Sequence, residues 1–104
     1  MNGLAIILGL LAALAAPQPN SSPVPSKHIA KILSRADGSS EASAYKVSSV
    51  RDEYEILRAL GLTIKSQSLV SGKGKPYDVL TVVDPATGVE RKLWFDISAF
   101  FPEF

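Results

Sequence analysis

The four residues Pro85-Ala86-Thr87-Gly88 constrain this chain more than any others, because they set two apolar runs side by side. Pro85 presets φ for a type I turn, the Asp84 side chain can accept from the turn backbone, and Gly88 can take the positive φ that returns the chain to a strand. Tyr77-Asp78-Val79-Leu80-Thr81-Val82-Val83-Asp84 precedes the turn, and Val89-Glu90-Arg91-Lys92-Leu93-Trp94-Phe95-Asp96-Ile97-Ser98 comes after it. If the turn closes as a four-residue loop, Asp84 faces Val89, Val82 faces Arg91, Leu80 faces Leu93, Val79 faces Trp94 and Tyr77 faces Asp96. One side of the hairpin then collects Leu80, Val82, Val89, Leu93, Phe95 and Ile97. The other carries Tyr77, Val79, Val83 and Trp94, so both sides need cover.

The helix that should cover the first side is predicted over residues 50–60. Ser49 and Asp52 have the spacing of a capping box. Val50, Tyr54, Leu57 and Leu60 recur at helical spacing, with Ile56 broadening the stripe. Arg51, Asp52, Glu55 and Arg58 fall on the other face, and Gly61 can adopt the left-handed conformation that ends a helix. Residues 44–47 alternate as a short strand. Residues 62–70 read as an edge strand on which Lys65 discourages pairing with a second chain. Ser71 to Lys75 reads as a flexible basic loop; it lacks the spacing of a phosphate loop, and it leads into a strand instead of a helix. Ser26 can serve as N-cap for a shorter helix bearing Ile29, Ile32 and Leu33, and this helix or the aromatic tail is expected to cover the second side. The expected fold is α+β: one main helix packed on a three- to four-stranded antiparallel meander, order (β)-α-β-β-β, preceded by a signal peptide and a short N-terminal helix.

The chain opens on an apolar run, Leu4 to Ala16, interrupted only by Gly9 and continued by Pro17-Gln18-Pro19-Asn20. This is the pattern of a secretory signal peptide over residues 1–15. Ala13 and Ala15 fit the two small-residue positions before the cut, and Ala16 opens the mature chain. A spanning helix needs about 20 apolar residues, so no stable membrane anchor is expected after cleavage. Residues 16–26 form a Pro/Ser-rich linker containing a glycosylation triplet at Asn20-Ser21-Ser22. Residues 27–104 form a single small α+β domain. The chain has no Cys, so neither a disulfide nor a lipidated cysteine supports it, and its stability must come from a packed core or a partner. Eleven Lys and Arg stand against ten Asp and Glu, with no basic block to argue for nucleic acid. The expected location is periplasmic or extracellular.

Chemistry-bearing residues are sparse. His28 is the only imidazole, and without Cys or helically spaced carboxylates it makes no zinc set. Placed just after a flexible linker, it is also a poor base for a serine nucleophile. Asp78, Asp84, Glu90 and Asp96 read as solvated strand-end acids, with Asp78 and Asp96 the residues to test for a small carboxylate-dependent hydrolase. No catalytic, cofactor or metal residue is assigned. Tyr77, Trp94, Phe100, Phe101 and Phe104 remain as a contact surface for an unknown protein partner, unless the tail folds back over Trp94.

Ala44-Tyr45-Lys46-Val47, Asp52-Glu53-Tyr54 to Leu60-Gly61-Leu62, Pro76-Tyr77-Asp78-Val79-Leu80 and Trp94-Phe95-Asp96-Ile97-Ser98 together resemble small exported proteins of unknown function from Gram-negative bacteria. That resemblance covers residues 38–104 and implies a location but no activity. In topology alone the chain is similar to PepSY-type modules, where a helix precedes a three-stranded meander; this implies peptidase inhibition or regulation. In that family a string like Asp84 to Gly88 comes after the final strand, whereas here it joins two strands, and no functional residue is carried over. The reading is therefore a small exported, non-catalytic binding or regulatory module.

Overall fold

The computed structural model describes residues 24–102. The expected signal segment with Ala13, Ala15 and Ala16, the Asn20 triplet and Phe104 lie outside the described residues. In chain order the elements are α1 (Lys27–Arg35), β1 (Tyr45–Lys46), α2 (Val50–Leu60), β2 (Thr63–Gly72), β3 (Lys75–Val83) and β4 (Glu90–Asp96). The fold is α+β, two helices on a four-stranded sheet of order β1-β4-β3-β2.

The turn between β3 and β4 explains their register. Asp84 N donates to Val89 O at 2.9 Å, Gly88 N donates to Asp84 O at 2.7 Å, and Asp84 Oδ1 accepts from Ala86 N at 2.9 Å. With Gly88 at φ 76°, Leu80 lies opposite Leu93, Val79 opposite Trp94 and Tyr77 opposite Asp96. Gly72 pairs with Lys75 across Lys73 and Gly74, both at positive φ (50° and 80°). This is the geometry of a primed two-residue hairpin turn, so most of the expected flexible loop is strand. β2 is the outer strand, and the register shifts between Ile64 and Ser66 leave Lys65 as a bulge. A bulge and a lysine are two ways to blunt an open edge.

The sheet is mixed, which corrects the purely antiparallel meander expected from the sequence. β1 runs parallel to β4, with Tyr45 opposite Phe95 and Lys46 opposite Asp96. Two residues of β1 carry no directional signal; packing fixes them, with the Tyr45 and Phe95 rings 5.6 Å apart.

One core holds the fold. Ile29 and Ile32 of α1, Ile56 and Leu57 of α2, and Tyr45, Val47, Leu80, Val82, Leu93, Phe95 and Ile97 form a single buried cluster. Both helices therefore pack on the same sheet face. Phe100 and Phe101 pack against that cluster too, so among the described residues neither α1 nor the two tail phenylalanines cover the second face. Val89, expected inside, is 60 % exposed because it sits where the turn leaves the helix-covered region. On the second face the segment 37–44 supplies partial cover. Gly38 O accepts from Trp94 N at 2.7 Å, and the Glu41 carboxylate lies so near Gly72 that a Cβ there would sit 2.6 Å from Oε2.

Candidate functional site

Three polar side chains from three elements converge at the margin of this core. On α2, Glu53 sits three residues after Val50 and four before Leu57, inside the apolar stripe, so the helix carries its carboxyl against the sheet. It is 5 % exposed. In the β3–β4 register Asp78 shares the face of Leu80 and Val82, and it is 4 % exposed. Gln67 of β2 donates from Nε2 to Asp78 Oδ1 at 2.8 Å.

The helices leave β2 largely uncovered, and that opens a groove. Glu53, Gln67 and Asp78 line a cavity of about 280 Å³ together with Val50, Tyr54, Leu69, Ile97 and Phe100. Tyr54, expected in the helix core, is 54 % exposed, and Leu69 across from it is 58 % exposed. The site therefore has an acidic floor and an apolar rim.

Burial pushes the Glu53 carboxyl from an ordinary 4.5 up to about 9, helped by the Asp78 carboxylate, which accepts its proton and repels its charge. Glu53 is thus neutral at pH 7, with one O–H to donate and one oxygen to accept. Its Oε2 is buried and has no hydrogen-bond partner among the described residues. Buried polar atoms are seldom left so.

The other acids serve different ends. Asp52, expected on the solvent face, is buried; its Oδ2 accepts from Ser48 N and pairs with His28 Nε2, both at 2.9 Å. His28 thus ties α1 to the start of α2. Asp96 faces Tyr77 in register while Asp78 faces Phe95, so the two lie on opposite sides of the sheet and form no pair. Burial opposes ionisation of Asp96, but the Ser98 hydroxyl and N–H, with Lys75, outweigh it and hold the carboxyl below its ordinary value. Asp84 caps its turn, and Glu90 pairs with Lys65 at 2.6 Å. Among the described residues no three His, Asp or Glu side chains could together hold a metal ion.

The aromatic residues divide between the two faces. Tyr77 and Trp94 meet edge to face at 5.7 Å on the second face. Phe100 and Phe101 lie with the main core, and Phe100 also walls the groove. A family described as a domain of unknown function (DUF4919) matches residues 2–103. The chain belongs to that family. No curated protein and no solved structure matches it. The family description names no activity, so the chemistry of the groove carries the functional argument. Glu53 was the residue that sequence reasoning passed over; the available signal was a carboxylate at the centre of an apolar helical stripe.

Proposed function

We propose that this DUF4919 protein is an exported, non-catalytic binding module whose groove between α2 and β2 receives a basic side chain of a partner protein. The observation that carries the reading is the buried, unpartnered oxygen of Glu53 beside the Asp78 carboxylate. An ammonium or guanidinium group would supply donors to both carboxyls, and Glu53 would release its proton as the cation entered. Tyr54, Leu69 and Phe100 would contact the aliphatic stem of the same side chain. The apolar N-terminal run and Pro-rich linker support export; among the described residues no helix is long and apolar enough to cross a membrane. The topological likeness to PepSY-type modules favours a peptidase as the partner.

The test is an NMR titration of the uniformly labelled chain with N-acetylarginine methylamide, against the uncharged citrulline analogue. Shifts at residues 50–54, 67–69, 78 and 97–100, absent with citrulline and weakened in Asp78→Asn, support the reading. Equal responses to both compounds sink it. A second reading rests on the proton shared by Glu53 and Asp78, since such a pair can also perform acid–base hydrolysis. Peptide or glycan hydrolysis by the purified chain, abolished in Asp78→Asn, would establish that reading instead.

A further inference from the structure

We infer a second binding site of opposite charge, between α1 and the 42–46 segment, that takes a small organic anion carrying an apolar body. His28, Lys31, Ile32 and Arg35 fall at the spacing of one helical face, and all four line a cavity of about 460 Å³. Lys46 of β1 closes it from the sheet side, and Ala36, Ala42 and Ala44 complete an apolar floor around Ile32. That volume lies within the roughly 300–1,000 Å³ of small-molecule sites.

The charge pattern identifies the ligand class. No carboxylate lines the cavity. The acids that adjoin it have partners or face away: Asp52 holds His28 and Ser48 N, Asp37 holds Ser39 N at 3.0 Å and Ser39 Oγ at 2.8 Å, and Glu41 and Asp96 line a separate concavity on the other side of Lys46. Lys31, Arg35 and Lys46 make no ion pair among the described residues. Three cations around one concavity repel one another, and a carboxylate or phosphate at their centre offsets that repulsion. The alanine and isoleucine floor then favours an anion with a short hydrocarbon body over a bare oxyanion. This site shares no residue with the Glu53 groove, so either can fail without the other.

The test is a chemical-shift titration of the purified chain with hexanoate, with inorganic phosphate and 1-hexanol as controls, in the native sequence, in a Lys31→Gln/Arg35→Gln double variant and in Lys46→Gln. These side chains are exposed or make no ion pair, and circular dichroism checks that each variant folds. The expected result is saturable binding of hexanoate with shifts at residues 28–36 and 42–46, weakened about tenfold in the double variant. Lys46→Gln should weaken it by a smaller factor, and both controls should bind more weakly than hexanoate. Absence of saturation, affinity unchanged in both variants, or phosphate binding as tightly as hexanoate would each overturn the inference.

Discussion

Replacing Glu53 by glutamine removes a proton-binding group while keeping its shape, and the pH dependence of stability should change with it. The carboxyl titrates near 4.5 in an unfolded chain and near 9 in the fold. Below the lower value both states hold the proton, and the stability associated with neutral Glu53 is fully present. Between the two values the folded chain keeps a proton that the unfolded chain has lost, so stability falls as pH rises, by about 1.4 kcal/mol per unit. Above about 9 both states are ionised and the slope ends. From the lower value to pH 7 this integrates to roughly 3 kcal/mol, and solvent screening from the adjoining groove reduces it to about 1–2 kcal/mol. A glutamine at this position can still donate from Nε2 to Asp78, and it carries no such pH dependence. Urea denaturation at pH 5, 6, 7 and 8, monitored by circular dichroism, measures the difference. The native midpoint should fall across this range relative to the variant, and Glu53→Gln should be more stable at pH 7 by that 1–2 kcal/mol. Parallel curves for the two proteins would rule out the raised carboxyl, because Glu53 would then be titrating as an ordinary glutamate in both states.

Gly38→Ala should destabilise the fold by about 2–4 kcal/mol in the same assay, since φ is +70° and the added Cβ would stand 2.5 Å from the Tyr45 ring. A chain ending at Ser98 should lose about 2–4 kcal/mol by exposing the core under Phe100 and Phe101, yet keep its Trp94 emission maximum, because Trp94 lies on the opposite face. A red shift on truncation would contradict that placement. Asp52→Ala should cost about 1–2 kcal/mol in thermal unfolding, as Ser48 N and His28 lose their shared acceptor.

Local chemistry was legible in the sequence wherever a few neighbouring residues decide the outcome. Pro85 to Gly88 set the hairpin register, and Ser49 and Gly61 bound α2, with Ser49 Oγ accepting from Asp52 N and Gly61 at φ 71°. Features that depend on distant segments were not legible. An apolar stripe about 100° wide leaves the exact rotation of a helix open, so Tyr54, placed in the stripe, is 54 % exposed while Glu53, which was given no face, is 5 % exposed. Asp78, read as a solvated strand-end acid, is 4 % exposed, because the register puts it on the face of Leu80 and Val82; nothing local said that α2 would leave β2 open and turn a core margin into a groove. His28 and Asp52 are 24 residues apart, and no periodicity links them. The tail has no repeat from which to read a face, and nothing local showed that Phe100 and Phe101 would pack with the main core while Trp94 lies on the other side.

Whether a neutral Glu53 waits in an open groove for a cation can be read from the carboxyl itself. Carbon-13 detection of the side-chain carboxyls across pH 3 to 10, without and with N-acetylarginine methylamide, does so most directly. One glutamate carboxyl should stay neutral at pH 7, titrate near 9 in the free protein, and move to lower pH as the arginine derivative binds. A Glu53 signal that titrates with the exposed glutamates, and does not move when the derivative is added, would contradict the proposed cation site.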